Sequence, residues 1–500
     1  MARETWHQED ALSRLDQAAR TLIPAPIKSA VRRLYVKTPY SWRAGASFRR
    51  TYGLLEQSQW WTEERIHDYQ LTRLKEVLRH ARKNVPGYGA RFAEYGVDEN
   101  AITSLDDIRR FPCLTKDDLR DNHDLYLARN IPQEHLQYVT SGGTTGTPTG
   151  FYHISRYNDG VAEAFKLIMW KRIGYTPRCR ALDLTASLGD GPLQYSAHRN
   201  LLYVSISSLD HESFPSYVDT IRSFRPQFVM GFPSTVTLFA QLVKDYGVSD
   251  MNVQGVITAS EVFYETQRRY VTDILGCRTL DWYGMAEYAG FASRCEHSEQ
   301  YHFSPEAGCM ELLDAQGAPV TEEGKEGEIV LTGFYNWATP FIRYRTGDRA
   351  ILGKRRCSAC GRCYQLVERI SGRMQEFLVA RNGRLIPNTA LNLHSDIFDD
   401  VLCYQFYQDT PGEIVLSIVR KPSYEVRRTE CIRGEIERKL GDGTWLCIRF
   451  VEDIPKTSRG KHRFIVQKLP IKEGWADASA APKSLTSTLA GCQADGPEAQ

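Results

Sequence analysis

The stretch Tyr138-Val-Thr-Ser-Gly-Gly-Thr-Thr-Gly-Thr-Pro-Thr-Gly150 restricts what this chain can become more than any other. Between Thr140 and Thr147 it has almost no apolar surface, so it cannot serve as core. It must be a loop held from both sides by structure that can. Gly142, Gly143 and Gly146 let the backbone approach a guest closely because they carry no Cβ. Ser141, Thr144, Thr145 and Thr147 bring hydroxyls to the same place. Such a run can gather many donors around one anion, and a polyphosphate is the natural guest. It departs from the phosphate-loop pattern G-x-x-x-x-G-K-[ST], because no Lys follows Gly146. By itself it is equally a polar loop between two strands.

The 500 residues are too many for one ordinary core, so two or more domains are expected. The charge is nearly balanced, with 63 basic against 61 acidic residues, which gives no general pull toward nucleic acid or an acidic membrane. No apolar run reaches the ~20 residues of a spanning helix, and the N-terminus lacks a secretory pattern. A cytoplasmic protein is expected. Its 12 Cys are too few for a disulfide scaffold, and in a reducing compartment clustered Cys point to metal.

Residues 1–59 read as an N-terminal helical extension. Within it, 27–36 would make a short basic amphipathic helix, suited to pack on the body of the protein or to rest on a membrane surface. Residues 60–92 read as one or two helices, with Leu71, Leu74, Val77 and Leu78 at helical spacing and Pro86-Gly87 breaking the run. Thr115 and Asp118 have the spacing of a helix cap. From 138 to about 352, β-rich runs (181–184, 227–230, 256–257, 328–331) alternate with helical ones (234–246, 265–275). That alternation argues α/β layering with functional loops at strand ends. Residues 377–470 read as a smaller α+β unit, with strands near 376–379, 401–408 and 414–419 and a helix at 424–440. Residues 471–500 are small and polar, the composition of a disordered tail.

Four further segments supply chemistry. Leu280-Asp-Trp-Tyr-Gly-Met-Ala-Glu287 joins an aromatic ring, Tyr283, to a carboxylate, Glu287, across Gly284. A ring can cover a purine, and a carboxylate can hold Mg²⁺ against phosphates. Phe341-Ile-Arg-Tyr-Arg-Thr-Gly-Asp348 ends in an Asp suited to accept both hydroxyls of a ribose. Ile370-Ser-Gly-Arg373 adds a fixed cation, and Lys461 follows a Gly on a basic loop near the C-terminus.

In their joint order and spacing these segments resemble the adenylate-forming enzymes, the superfamily of acyl- and aryl-CoA ligases, peptide-synthetase adenylation domains and luciferases. The runs Leu74-Lys-Glu-Val-Leu-Arg-His-Ala-Arg-Lys-Asn-Val-Pro-Gly-Tyr88 and Leu114-Thr-Lys are similar to its phenylacetate–CoA ligase-like branch. That branch includes capsular-polysaccharide (CapK-type) proteins and deazaflavin-adenylylating synthetases. The resemblance covers residues 60–470 or so. It implies an α/β fold with a large ATP- and acyl-binding domain (60–371), a hinge (372–376) and a small mobile α+β C-terminal domain (377–470). It casts Ser141 to Thr147 as the phosphate-binding loop and Ala259-Ser260-Glu261 as a lining of the adenine site. Tyr283 becomes the aromatic beside adenine, Glu287 the Mg²⁺-associated carboxylate, and Asp348 with Arg373 the ribose pair. Lys461 becomes the catalytic lysine. The cation missing after Gly146 would then come from Lys461, on a domain that can leave.

The implied chemistry is attack of a carboxylate on the α-phosphate of ATP, release of pyrophosphate, and a second attack by a thiol, CoA above all, after the small domain rotates. The chain departs from the family pattern at Ala286, where a hydroxyl is usual, and at hinge residue Gln375, where Asp is usual. Adenylation stays intact on this reading, and the acceptor is left open among CoA, another thiol, an amine and an alcohol. An adenylyltransferase or acyl transferase with a non-CoA acceptor, and a nucleotide-binding regulator without turnover, are the alternatives.

Cys357-Ser-Ala-Cys360-Gly-Arg-Cys363 is a knuckle that holds Zn²⁺ when a second ligand pair arrives from elsewhere. Cys295 and His302 are the favoured pair, with His297 and Cys363 as substitutes, and some members of the branch carry a comparable Cys/His set before the hinge. Four protein ligands leave no open position, so the metal would be structural. The Cys set lacks finger spacing, which excludes DNA binding of that type. Trp170, Tyr175, Tyr203, Phe232 and Pro233 are candidate walls of the acyl pocket, and His198 a candidate contact. The acid, the pathway and the oligomeric state have no signature in the sequence.

Overall fold

The computed structural model describes residues 38–469 apart from 142–148, 186–187, 189–190, 198, 372–376, 384, 388–390, 392–395, 399, 422 and 456–463. The basic stretch 27–36 and the tail 471–500 therefore lie outside the described residues. Helix α1 (Gly45–Ser58) buries Phe48 and Leu55 in the main core, so residues 38–59 pack as part of the large domain. Helix α2 (Glu63–Asn84) starts at Thr62, whose side chain accepts from Arg65 N, with Glu63 and Glu64 in its first turn and Arg82 and Lys83 in its last. That polarity suits the helix dipole. Its Ile66, Leu74, Val77, Leu78 and Ala81 are buried.

Pro86 does not merely break the run. It opens a second helix, α3 (Pro86–Glu94), where a missing N–H costs nothing. A Cβ at Gly87 would stand 3.1 Å from Leu125 O, which explains the glycine beside the proline. Helix α4 (Lys116–Asp121) carries the expected capping box of Thr115 and Asp118. The residue before that cap, Leu114, exchanges backbone hydrogen bonds with Arg343 and Arg345 and so fastens this region to the strand that bears Asp348.

Strands β1 (Leu136–Ser141) and β2 (Thr149–Ile154) form an antiparallel hairpin around the polar loop. Helix α5 (Tyr157–Trp170) follows. The remaining strands of the large domain make one sheet. They are β3 (Ala181–Asp183), β4 (Leu193–Ser196), β5 (Leu201–Val204), β6 (Phe228–Gly231), β7 (Gly255–Ala259), β8 (Arg278–Gly284), β9 (Phe291–Arg294), β10 (Tyr301–Phe303), β11 (Gly308–Leu313), β12 (Glu326–Gly333), β13 (Tyr344–Leu352) and β14 (Gln365–Ser371). Their order is β11-β12-β13-β14-β10-β9-β8-β7-β6-β3-β5-β4. The segment β5-β3-β6-β7-β8 is parallel and the rest antiparallel.

The connections of the parallel part include α6 (Phe214–Phe224), α7 (Pro233–Asp245) and α8 (Glu265–Leu275). Leu182, Val229 and Val256 share a core with these helices, while Ala181, Phe228, Ile257 and Leu280 join the core that holds α5. Both faces of the parallel strands are thus covered, as parallel strands require.

The small domain contains the hairpin β15 (Phe377–Val379) and β16 (Leu385–Pro387). Its main sheet has the order β19-β18-β17-β20, from β17 (Val401–Thr410), β18 (Glu413–Arg420), β19 (Trp445–Phe450) and β20 (Ile465–Gln467). Helix α9 (Arg427–Leu440) covers the sheet with Ile432, Ile436 and Leu440. Ile206 and Phe232 of the large domain pack against this second core, and Asn382 Nδ2 donates to Asp210 Oδ2 at 3.3 Å. No described helix is long and apolar enough to cross a membrane.

Candidate active site

Ligands in open parallel sheets sit beyond the carboxyl ends of the strands. At that edge β8 presents Tyr283, which pairs in register with Ala292 of β9 and packs against Phe303. Its hydroxyl donates to Asp348 Oδ2 at 2.9 Å, joining β8 to β13. Burial and the adjacent Asp348 hold the phenol well above its ordinary range, so it remains a donor. Asp348 is fixed in turn by its backbone N–H, which donates to Thr346 Oγ1 at 3.0 Å. Gly347 supplies the positive φ (78°) that the Thr-Gly-Asp turn needs.

Glu287 is buried, and its Oε1 accepts from Tyr344 Oη at 3.0 Å. Tyr344 supports Glu287 and Thr346 supports the Asp348 N–H, so both belong with Asp348 at this edge. The register shifts between Glu328 and Val330 opposite these residues, so no regular alternation along the strand marks them.

Ser260, just past β7, is exposed and has φ of 71°, a conformation uncommon for a residue with a Cβ. Glu261 accepts from Ser234 N at 3.0 Å and from Ser234 Oγ at 3.1 Å. Its carboxylate caps α7, where the helix dipole favours an anion. Glu261 therefore shapes the edge of the site through α7.

The hairpin holds both ends of the polar loop, with Ser141 opposite Thr149. Gly142, Gly143, Thr144, Thr145, Gly146 and Thr147 lie outside the described residues, as do Arg373, the 372–376 hinge and Lys461. At the foot of the loop, Thr149 Oγ1 is buried without a hydrogen-bond partner among the described residues. A buried donor of this kind is costly unless something takes its hydrogen bond.

The Cys/His knuckle assembles. The ligand atoms of Cys295, His302, Cys357 and Cys360 all lie within 4.8 Å of one another. Cys295 Sγ and Cys357 Sγ are 3.8 Å apart, and Cys360 Sγ and His302 Nε2 are 3.7 Å apart. Bond lengths of about 2.3 Å and 2.0–2.1 Å around a tetrahedral Zn²⁺ place ligand atoms about 3.5–3.8 Å apart. The donor set fits zinc. Burial, with Arg172 and Arg362 nearby, pushes His302 down to about 3 and keeps its imidazole neutral. Cys363 and His297 are not in the set. The His297 backbone N–H donates to Cys295 Sγ at 3.4 Å, and Cys363 lines a cavity of about 530 Å³ between α2 and β11–β14.

The expected acyl walls separate. Trp170 and Tyr175 pack edge to face, and Tyr175 also meets Phe228. Tyr203 borders the main core. Phe232 and Pro233 start α7, with Phe232 turned to the small domain's core. His198 lies outside the described residues.

The family model described as CapK C-terminal domain matches residues 378–468. The chain is 28% identical over 351 residues to phenylacetate-coenzyme A ligase of Pseudomonas putida, covering 67% of this chain and 76% of that protein. It is 25% identical over 440 residues to the Thermus thermophilus phenylacetate-coenzyme A ligase, covering 81% and 96%. It is 22% identical over 420 residues to Protein CapK of Staphylococcus aureus, covering 81% and 90%. Among solved structures, 2-hydroxyisobutyryl-CoA ligase with 2-HIB-AMP and CoA in its thioesterification state matches with a TM-score of 0.57 and 18% identity. That match covers 82% of this chain and 91% of the other, and it establishes the fold.

Proposed function

We propose that this chain, which belongs to the phenylacetate–CoA ligase-like branch of the adenylate-forming enzymes, activates a carboxylic acid with ATP and passes the acyl group to CoA. The observation that carries the reading is the Tyr283–Asp348 and Tyr344–Glu287 constellation at the carboxyl edge of β8. It brings an aromatic ring and two carboxylates together beside the hairpin that frames the Gly/Thr loop.

In the first step the acid's carboxylate attacks the α-phosphate and pyrophosphate leaves. Both reactants are anions, so the loop's N–H and O–H donors and Lys461 neutralise the charge that develops. Asp348 accepts from the ribose hydroxyls, and Arg373 supplies the cation of that pair. Glu287 would hold Mg²⁺, which when bound offsets phosphate charge. Ala286 offers no hydroxyl to the α-phosphate, so Lys461 and the loop carry that contact alone. In the second step the small domain, swung about 372–376, presents a different surface to the thiol. The Cys295, His302, Cys357 and Cys360 set would hold a structural Zn²⁺ with no open position.

A second reading keeps the first step and transfers the acyl group to an acceptor other than CoA. Carboxylate-dependent ATP–pyrophosphate exchange over a panel of aryl, arylacetic and hydroxylated acids tests the first step. Lys461→Ala should cut exchange about 10²–10³-fold. ATP binding without exchange for any acid would replace the ligase reading by that of a nucleotide-binding regulator. Product analysis with CoA against amine and alcohol acceptors then separates the two transfer readings.

A further inference from the structure

The residue after Glu287 holds a conformation that its side chain disfavours. Tyr288 has φ of 56°, in the left-handed region where a bulky residue is an outlier. Such a position persists only where its surroundings over-determine it, and outliers of this kind gather at functional sites. Here both its backbone and its half-buried side chain are held. The Tyr288 N–H donates to Met285 O at 3.1 Å, closing the turn that contains Glu287. The next residue, Ala289, is pinned by two glycines: a Cβ on Gly333 would stand 2.7 Å from Ala289 Cα, and one on Gly308 2.8 Å from Ala289 O.

The side chain reaches the other way. Its ring meets His153 at 5.4 Å and 64°, and its hydroxyl donates to Asp159 Oδ1 at 3.3 Å. His153 stands on β2, the strand that leaves the Gly/Thr loop, and its Nε2 faces Gln137 Oε1 on β1 at 3.1 Å. Asp159 lies in the first turn of α5, and its Oδ2 accepts from Arg156 N at 3.3 Å. Burial keeps the Tyr288 phenol protonated and donating.

We propose that Tyr288 is a positioning residue: its left-handed backbone aims the Glu287 carboxylate, and its ring and hydroxyl lock that backbone to His153 on the loop hairpin and Asp159 on α5. The clamp fixes the spacing between the β1–β2 hairpin and the carboxylate. It rests on the reading of Glu287 as the divalent-cation carboxylate. Tyr288 itself touches neither metal nor nucleotide in this account.

The test uses the full chain with Mn²⁺ and ATP as probes, and reads bound Mn²⁺ by electron paramagnetic resonance. Tyr288→Phe removes the hydroxyl but keeps the ring. It should raise the Mn²⁺ concentration for half-saturation in the presence of ATP roughly fivefold, the net effect of losing one ordinary hydrogen bond. Metal-free ATP binding should stay within about twofold. In a Glu287→Gln background the same change should have no further effect on Mn²⁺, because Tyr288 acts through Glu287. Asp159→Asn weakens the same anchor without touching the left-handed residue and should move Mn²⁺ affinity in the same direction.

Unchanged Mn²⁺ affinity in both Tyr288→Phe and Asp159→Asn would overturn the clamp. So would an equal loss in the wild-type and Glu287→Gln backgrounds, which would make Tyr288 a packing residue only. Mn²⁺–ATP binding decides the clamp whether or not any acid supports exchange, so failure of the ligase reading is separately visible.

Discussion

Two polar clusters form along the same run of strands, and they differ in what they leave unsatisfied. In the Tyr/carboxylate cluster each carboxylate already has a phenol: Asp348 has Tyr283 and Glu287 has Tyr344. Those hydrogen bonds make the cluster stable on its own, and it can exchange partners when a ligand arrives. In the Cys/His cluster, Cys295 and Cys357 stand 3.8 Å apart, far beyond the ~2.05 Å of a disulfide. His302 Nδ1 is buried without a partner. Arg362 is already paired with Glu296 at 2.8 Å, while Arg172 adds buried positive charge beside these thiols. A zinc–trithiolate centre, with a net charge of about −1, would offset Arg172. On the proposed reading one cluster is a surface that binds, and the other a joint that its ion would close. Perturbing the first should change ligand affinity at constant stability, and perturbing the second should do the reverse.

The largest effect is expected at the knuckle. Purified protein should contain one zinc per chain, and Cys357→Ser should lose it. The apparent melting midpoint should fall by roughly 5–10 °C, because structural metal binding is folding free energy. The ATP affinity of the molecules that remain folded should change little. Metal analysis that finds no zinc in the wild-type protein would remove the contrast at its base.

Asp348→Asn probes the other cluster. It weakens the acceptor for two ribose hydroxyls and should raise the KM for ATP about 10–100-fold, the scale of hydrogen bonds to a charged group. The amide can still accept from Tyr283, so the melting midpoint should hold within about 2 °C. A large drop in melting with an unchanged KM would mean that the Tyr283–Asp348 pair is a structural strut.

How far the sequence revealed these clusters follows from the kind of signal each gives. Parallel strands and their helices announce themselves through apolar periodicity, and the 265–275 helix is found at its expected bounds. The C-x-x-C spacing is a local signature, and the favoured second pair, Cys295 and His302, does complete the set. Cys360 is favoured over Cys363 from its C-x-x-C spacing with Cys357, and it is the sulfur found in the set. Glu261 could not be seen as a helix cap, because its partner Ser234 is far off in sequence. The contribution of Tyr344 needed the strand's facing, and the Tyr288 clamp needed a backbone angle that no residue pattern encodes. The acyl walls were illegible because aromatic residues serve cores and pockets alike. Phe232 illustrates the problem by packing against the small domain's core.

The smallest effect sharpens the contrast where the clusters meet. Asp281 lies on β8 two residues before Tyr283, and it bonds Tyr301, the neighbour of His302. Thr258 Oγ1 donates to its other oxygen at 3.0 Å. Burial pushes Asp281 up to about 6, against the pull of the two hydroxyls. The unfolded chain ionises this group near pH 3.9. The folded state therefore keeps the proton longer, and the stability it contributes is full below about pH 4 and lost as pH rises through 6. That loss amounts to about 3 kcal/mol over the whole range, of which about 2 kcal/mol falls between pH 4.5 and 6.5. Asn has the shape of the protonated acid and no charge to bury, so Asp281→Asn should lack this decline. Urea unfolding of both proteins at pH 4.5 and 6.5 reads the difference directly. A wild-type decline between those pH values that persists in full in Asp281→Asn would show that Asp281 does not carry it.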